Sequence, residues 1–288
     1  MDVRLTDVVL RDGLQDEDVI VSTQDKRMIA DALVAAGVRE LEVASFVSAK
    51  RVPQMADAEA LLATLPYHPD VRICAIALNP RGAQRAVGTR VDELRLVVSA
   101  GAGHSRANAG RDTEQALDEF AAVIPQLSVV TVTAAVSTAF NCPYDGPVSP
   151  HRLLSVVQRF HDAGVRQISL ADTLGTAATE QVLRSLDTVR NALPDLQLGL
   201  HLHDGHGQAL ATVDAALRVG VRQFDSALGG LGGCPFAPGA HGNLATEAVV
   251  AHLHRRDVPT GITETALTDA HHQLREALQR GQPASRSA

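Results

Sequence analysis

Eight short runs rich in β-branched residues recur along this chain of 288 residues, and longer stretches of Ala, Leu and Arg at helical spacing separate them. This alternation predicts repeated βα units around a parallel sheet. The predicted strands cover residues 3–10, 40–44, 71–77, 93–98, 129–136, 167–171, 197–202 and 223–227. Eight such units predict an α/β fold, the (β/α)8 TIM barrel, which carries its chemistry on the loops after the carboxyl ends of the strands.

Helical periodicity fills the spaces between the strands and continues after the last one. Helices are predicted at residues 23–36, 56–65, 80–87, 113–124, 150–163, 179–193, 207–219, 243–254 and 263–280. Gly37, Gly164 and Gly220 follow three of them, where a helix commonly needs a left-handed residue. The domain prediction is therefore a single catalytic barrel over residues 1–281 with extra C-terminal helices, followed by a small, polar and mobile tail, residues 282–288.

Composition excludes several classes of protein. A 45% hydrophobic content argues against disorder, and apolar runs such as 30–36 stop well short of the roughly 18 residues of a membrane helix. A net charge of −7, with no Trp and two Tyr, argues against a nucleic-acid partner. Three cysteines leave at least one thiol free, and no signal or leader segment is evident at the N-terminus, so a reducing cytoplasm is predicted.

Two histidines end the predicted seventh strand. The period of two places His201 and His203 on the same side, with Leu202 pointing away. Asp12 follows the first strand and Asn243 lies beyond the eighth, so the barrel rule brings both to the same rim. Asp12 alone would suggest a salt-bridged loop and Asn243 a turn, but together the four offer ligands for a divalent cation with open positions.

Other polar residues lie at the same predicted rim. Glu42 on the second strand would need a partner if buried, and Arg11 is the natural one, although Glu42 could instead face solvent. Asp172 follows the sixth strand, as a catalytic group or as the N-cap of the next helix. Residues 229–235 contain four glycines and Cys234, which predicts a moving loop whose thiol is either reactive or incidental. Cys74 is predicted in the core, and Cys142 in a turn without a catalytic role.

Seven segments together resemble one family, the 3-hydroxy-3-methylglutaryl-CoA (HMG-CoA) lyases. They are residues 11–15, 42–48, 52–55, 141–144, 172–175, 201–204 and 229–243, and the resemblance spans residues 5–262. It implies a metal-dependent TIM barrel that cleaves an HMG thioester to acetyl-CoA and acetoacetate, as in leucine degradation. It also implies an acyl-CoA substrate, Mg²⁺ or Mn²⁺ as cofactor, and a homodimer.

The resemblance also implies roles for individual residues. Asp12, His201, His203 and Asn243 would hold the metal, Arg11 would lie near the thioester carbonyl, Cys234 would transfer a proton, Glu42 and Asp172 would be charged supports, and Gln15 and Ser45 would lie near the substrate. We take His201 as the base for the substrate hydroxyl, with Asp172 or a bound water as alternatives.

Two positions depart from the family pattern. Ala135 stands where the resemblance implies a Tyr facing the substrate, so the acyl pocket is expected to be larger or to lack a hydroxyl contact. Residues 99–108 form a Gly- and Ala-rich version of the family's Ser-to-Asn stretch. Arg106 and Asn108 are candidates for contacts to the nucleotide part of CoA, with an exposed loop as the alternative.

Three other functions compete with a lyase. A condensing enzyme, such as an isopropylmalate or homocitrate synthase, would join acetyl-CoA to a 2-oxo acid; the loop bearing Cys234 and the lack of a regulatory C-terminal domain argue against it. A Schiff-base aldolase would need a lysine at a strand end, but the two lysines are Lys26, in a predicted helix, and Lys50, in a loop. A non-catalytic barrel that binds acyl-CoA would need neither metal ligands nor a reactive thiol, so the presence of residues at both kinds of position argues against it.

Overall fold

Eight parallel strands close into a barrel in this computed structural model, which describes residues 3–233, 236–237 and 239–284. The strands are β1 (Arg4–Asp7), β2 (Glu40–Ser45), β3 (Arg72–Ala77), β4 (Glu93–Ser99), β5 (Thr131–Ser137), β6 (Gln167–Asp172), β7 (Gln197–Leu202) and β8 (Gln223–Ser226). Each strand pairs with the next along the chain, and β8 pairs with β1. The prediction of a (β/α)8 barrel is confirmed.

Ten α-helices surround the strands in the described part of the chain. They are α1 (Thr23–Ala35), α2 (Ala58–Thr64), α3 (Pro80–Val87), α4 (Ala102–Ala109), α5 (Thr113–Val123), α6 (Pro150–Asp162), α7 (Thr179–Ala192), α8 (Ala209–Arg218), α9 (Thr246–His254) and α10 (Glu264–Arg280). Nine of them match predicted helices, with ends that differ by three residues or fewer.

Helix α4 lies where a loop was expected, so that expectation is wrong. Its Gly, His, Ser and Asn residues have weak helical preference and offset its alanines, but tertiary contacts hold the helix in place. The Gly103 amide donates to Asp145 Oδ2 at 2.8 Å, and a Cβ on Gly103 would lie 2.5 Å from Tyr144 Cβ. The absence of a side chain therefore allows α4 to pack closely on the segment after β5.

The first strand is shorter than predicted. It stops at Asp7, and residues Val9–Gly13 form one π-helical turn, in which the amides of Asp12 and Gly13 both point to the Val8 carbonyl. Single π turns are common at functional sites. Here the turn brings Arg11 and Asp12 to the mouth of the barrel.

The hydrophobic core lies between the strands and the surrounding helices. On β4, Leu94 and Leu96 are buried in this core, whereas Glu93 and Arg95 alternate with them and point into the barrel. The interior at this level is therefore charged, in contrast to the branched apolar layers usual in such barrels.

Shorter elements complete the fold. Gln282–Pro283, the first residues of the predicted mobile tail, pair with Val19–Ile20, and residues 285–288 lie outside the described part. Cys142 belongs to the strand pair Asn141–Cys142 and Gly146–Pro147 and is buried, as is Cys74. Among the described helices, none has the length and apolar character needed to cross a membrane.

Candidate metal centre and active site

Three of the four predicted ligands converge at the carboxyl ends of the strands. One ligand atom each from Asp12, His201 and His203 lies within 4.8 Å of the others, and all three residues are buried. The His201 and His203 Nε2 atoms are 3.1 Å apart, and Asp12 Oδ2 lies 3.8 and 4.0 Å from them. The alternation in β7 and the π turn after β1 thus bring two imidazoles and a carboxylate to one point.

Asn243 lies beside this cluster. A bridge between the backbones of His203 and Asn243 holds it there, and its Nδ2 donates to Asp12 Oδ2 at 2.7 Å and to the Leu231 carbonyl at 2.8 Å. Its Oδ1 is buried and has no hydrogen-bond partner. An unpaired buried acceptor is costly, and an amide oxygen is a ligand that hard cations accept. The residues present therefore fit a divalent cation.

The far nitrogens of both imidazoles are held by other groups. His203 Nδ1 lies 2.6 Å from the His241 carbonyl, and His201 Nδ1 lies 3.2 Å from Asp225 Oδ2. Such partners fix the ring orientation and leave Nε2 free to bind a metal.

The electrostatics of the cluster differ between its members. Burial lowers the pKa of His203 to about 4, so this ring is neutral, as a metal ligand must be. Burial acts against a charged His201 too, but the hydrogen bond with Asp225 and the Asp12 charge outweigh it and raise the pKa of His201. For Asp12, burial is outweighed by Arg11 and the histidines, which lower its pKa.

Arg11 and Glu42 form the buried pair that the sequence predicted. Arg11 Nε donates to Glu42 Oε1 at 2.6 Å, and Arg11 Nη1 pairs with Asp12. Glu42 is fully buried, and its other oxygen lies 3.0 Å from Arg95 Nη1. The alternative of a solvent-facing Glu42 is therefore wrong.

Arg95, Glu93 and Asp225 were not singled out from the sequence. Arg95 Nη1 lies 2.8 Å from Asp225 Oδ2, and Nη2 lies 3.6 Å from Glu93 Oε1. The alternation of charged and leucine residues in β4 could have indicated an inward charged face.

The region around the candidate ligands is rich in buried charges. The four carboxylates are Asp12, Glu42, Glu93 and Asp225, and the two guanidiniums belong to Arg11 and Arg95. Arg72, which is partly exposed, also pairs with Glu93, and the raised pKa of His201 favours its charged form in the metal-free protein. Buried carboxylates need compensating charge, and a divalent cation beside Asp12 would add to it.

A pocket opens over the cluster, with about 1130 Å³ of empty space including its open mouth. Its lining includes nine residues discussed above, Arg11, Asp12, Gln15, Arg95, Asn108, Ala135, His201, His203 and Asp225. One wall is apolar and consists of Ile76, Leu78, Val97, Ala135 and Ala171. The lining also includes three residues that the sequence patterns did not indicate, Arg51, His104 and Phe236.

Other predicted residues lie away from this lining. Asp172 accepts a hydrogen bond from the Ala177 amide at 2.9 Å, and burial raises its pKa. It does not cap α7, whose N-cap is Ala178, so that alternative is wrong. Ser45 is buried with an unpaired Oγ, and Arg106 is exposed and pairs with Asp112.

The Gly-rich segment packs directly on the candidate ligands. Gly232 has a φ of +109°, and a Cβ there would lie 2.4 Å from Asn243 Nδ2. Glycine is therefore required at this position. Cys234, two residues further on, lies outside the described residues.

The fold and this site together define a class of protein. It is a (β/α)8 barrel in which Asp12, His201 and His203 form a possible metal site in a pocket that has one apolar wall. The chain belongs to the HMGL-like family, whose model matches residues 2–274. The resemblance to HMG-CoA lyases is thus confirmed, and with it the prediction of a carbon–carbon lyase.

Similar proteins cover nearly the whole chain. The (R)-citramalyl-CoA lyase of Chloroflexus aurantiacus is 38% identical over 98% of this chain and 93% of its own length. The 3-hydroxy-3-isohexenylglutaryl-CoA/hydroxy-methylglutaryl-CoA lyase of Pseudomonas aeruginosa is 37% identical over 93% of this chain and 90% of its own. An HMG-CoA lyase structure from Acinetobacter baumannii, in complex with coenzyme A and 3-methylmalate, has a TM-score of 0.93 at 37% identity and covers 99% of this chain and 93% of that one.

Proposed function

We propose that the protein cleaves the C2–C3 bond of HMG-CoA or of a related 3-hydroxy-3-alkylglutaryl-CoA, releasing acetyl-CoA and a 3-oxo acid. The observation that carries this proposal is the convergence of Asp12, His201 and His203 at the floor of a pocket whose opposite wall is apolar. The names of the relatives, all of them acyl-CoA lyases, support it.

The proposed reaction balances without a co-reactant. The hydroxyl on C3 loses its proton, the C2–C3 electron pair moves toward the thioester, and C2 then takes up a proton to give the acetyl group. A divalent cation held by Asp12, His201, His203 and Asn243 would make that hydroxyl more acidic. We propose Mg²⁺ or Mn²⁺, because the site mixes carboxylate, amide and imidazole ligands.

Arg11 is the residue we propose for the thioester oxygen. It lines the pocket next to Asp12, and its guanidinium is held from behind by Glu42. Both contacts make its position rigid, so its positive charge stands ready where the enolate charge develops. Glu42 would act as a support that never touches the substrate. Cys234 remains our proposed proton donor to C2.

The base for the hydroxyl proton is better sought outside His201. Its Nδ1 faces Asp225, and its Nε2 faces the other two candidate ligands, His203 and Asp12. Neither ring nitrogen is therefore directed at a substrate hydroxyl. Asp172 does not line the pocket. Of the alternatives considered, a bound water is thus favoured. Gln15 and Asn108 remain proposed substrate contacts, because both line the pocket.

The small side chain of Ala135 favours substrates with a bulky C3 substituent. Ala135 lies beside Val97 in the sheet, and both contribute to the apolar wall. We expect Ala135→Tyr to lower kcat/KM at least 10-fold for a long-chain 3-alkyl substrate, because the ring would occupy the space of the alkyl group. The kcat/KM for HMG-CoA should fall far less. Steady-state kinetics with both thioesters measures this, and equal losses would contradict it.

Acetyl-CoA release tests the proposed function itself. The purified protein is incubated with Mg²⁺ or Mn²⁺ and a panel of thioesters that includes HMG-CoA, longer 3-alkyl analogues and citramalyl-CoA. We expect release that EDTA abolishes and that His203→Ala lowers by at least 100-fold. Consumption of acetyl-CoA with a 2-oxo acid would favour the condensing enzyme instead, and acyl-CoA binding without turnover would favour the non-catalytic barrel.

Three wider predictions accompany this proposal. We propose a cytoplasmic location from the two free cysteines among the described residues, Cys74 and Cys142, a homodimer from the resemblance, and a role in leucine degradation if HMG-CoA is the preferred substrate.

A further inference from the structure

We propose that Arg95 is a positioning residue that connects the two sides of the metal centre through the interior of the barrel. The inference rests on the metal site of the proposed function. Arg95 projects from β4 into the barrel, its side chain is 4% exposed, and it touches carboxylates from β2 and β8 at once. No sequence motif pointed to it.

The contacts of Arg95 complete a chain of alternating charges. On one side, Arg95 holds Glu42, which holds Arg11, which pairs with Asp12. On the other side, Arg95 Nη1 donates to Asp225 Oδ2 at 2.8 Å, and the same oxygen lies 3.2 Å from His201 Nδ1. The chain thus begins at one candidate ligand, Asp12, and ends at another, His201.

Asp225 connects Arg95 to His201. Its Oδ2 also accepts a hydrogen bond from Ser169 Oγ at 3.2 Å, and the carboxylate is 2% exposed. Without Arg95, this buried charge would lose its nearest cation and would shift toward other donors. His201 would then lose the group that fixes its ring, and its Nε2 would no longer point reliably at the metal position.

Arg95 is placed for this role rather than for binding substrate. It borders the pocket, but Glu42 and Asp225 both lie within 3.0 Å of its Nη1 and Glu93 lies 3.6 Å from its Nη2. A guanidinium that three buried carboxylates surround has no unpaired charge to offer a substrate anion. Glu42 and Asp225 both contact Nη1, which lies one bond further from the backbone than a lysine Nζ would, and Glu93 faces the second nitrogen, Nη2. A lysine would therefore not keep all three contacts.

Metal binding in the absence of substrate tests the proposal. Protein stripped with EDTA is titrated with Mn²⁺, and free Mn²⁺ is followed by electron paramagnetic resonance. We expect Arg95→Lys to weaken Mn²⁺ binding about 10- to 100-fold, the size of effect that supporting residues of metal ligands show. The visible spectrum of the Co²⁺-loaded variant should also change, because His201 would be held differently.

Arg72→Lys is the matched control. Arg72 approaches the same acidic group from the outside, with Nη1 3.3 Å from Glu93 Oε2 and a side chain that is 42% exposed. Among the described residues, its ion pair is with Glu93 and not with Glu42 or Asp225. This variant should bind Mn²⁺ within twofold of the wild type. A folded Arg95→Lys protein with wild-type Mn²⁺ affinity and an unchanged Co²⁺ spectrum would overturn the proposal.

Asp225→Asn provides a second route, which also serves if Arg95→Lys fails to fold. Asparagine keeps an acceptor for His201 but lacks the charge that Arg95 holds, so Mn²⁺ affinity should fall here too. In the Asp225→Asn background, Arg95→Lys should cause a smaller loss than it does alone, because the connection through Asp225 is already broken. Wild-type affinity in Asp225→Asn, or fully additive losses, would refute the proposal. A wild-type protein without lyase activity would refute only the proposed function, since these titrations need no substrate.

Discussion

Asn243 combines two tasks in one amide. Its Nδ2 holds Asp12 and the Leu231 carbonyl, while its buried Oδ1 is left unpaired beside the ligand cluster. The first task shapes the site in the metal-free protein. The second task, metal binding, would give the unpaired Oδ1 of Asn243 a cation as its partner.

We expect Asn243→Ala to weaken Mn²⁺ binding by at least 10-fold, because it removes a ligand oxygen and the donor that orients Asp12. Isothermal titration of the stripped protein measures this. Asn79→Ala is the control, since Asn79 also borders the pocket but its side chain caps α3 by accepting from the Gly82 amide. The free energy of unfolding of the control should fall by about 1 kcal/mol, and its Mn²⁺ affinity should stay unchanged. Equal losses of affinity in the two variants would contradict the ligand role.

Asp7 makes the stability of the protein depend on pH. Burial raises its pKa from 3.8 to about 7. Between these values the folded state binds more protons than the unfolded state, so the free energy of unfolding falls as the pH rises, by up to about 1.4 kcal/mol per pH unit. Asp7→Asn should remove this loss, because an amide can donate to Thr246 and still accept from the Val9 amide.

Urea denaturation of the metal-free protein between pH 4.5 and 7.5 measures the Asp7 effect. The stability of Asp7→Asn relative to the wild type should increase steadily over this range. Parallel curves for the two proteins would show that Asp7 is ionised throughout.

At the scale of the element, two helix ends share a sequence but differ in surroundings. Ala-Gly-Val-Arg follows both α1 and α6, and the glycines, Gly37 and Gly164, have φ of +102° and +98°. A Cβ on Gly37 would lie 2.2 Å from the Gly261 carbonyl oxygen, whereas a Cβ on Gly164 would meet no atom within 4 Å.

We expect Gly37→Ala to destabilise the protein far more than Gly164→Ala. The change at Gly164 should cost about 1–2 kcal/mol, because only the unfavourable backbone conformation is involved. The change at Gly37 adds a collision with a backbone that must move, which separates α1 from the segment before α10. Thermal unfolding by circular dichroism measures both, and similar melting temperatures would contradict the expectation.

At the scale of the whole molecule, the candidate cation would join distant parts of the chain. Asn243 and Asp12 are 231 residues apart and lie on neighbouring sides of the barrel closure, and the histidines come from β7. A bound ion would therefore stabilise the closed barrel and offset negative charge of the buried carboxylates.

Mn²⁺ at 100 times its Kd should stabilise the stripped protein by about 2.7 kcal/mol, which corresponds to a rise in Tm of about 4–5 °C for a chain of 288 residues. Scanning calorimetry suits this measurement because the chain has no Trp. His203→Ala should show almost no rise at the same Mn²⁺ concentration. A wild-type Tm that is equal in EDTA and in Mn²⁺ would show that the cluster binds no ion.

The sequence by itself determined the features that depend on local periodicity. Alternating β and α patterns sufficed for eight strands and nine helices, and the period of two sufficed to put His201 and His203 on one side. The rule that chemistry gathers at the carboxyl ends of the strands brought Asp12 and Asn243 to the same rim. These inferences work because backbone geometry relates residues that are near in sequence.

Only the tertiary structure decided which side chains meet across the barrel. Arg95 comes together with Glu42 and Asp225 from three strands, α4 is held by Asp145 in spite of its composition, and identical sequences at Gly37 and Gly164 have different neighbours. Such contacts depend on strand register, on helix packing and on distances between residues far apart in the chain. No local pattern encodes those distances, because they arise when the barrel closes.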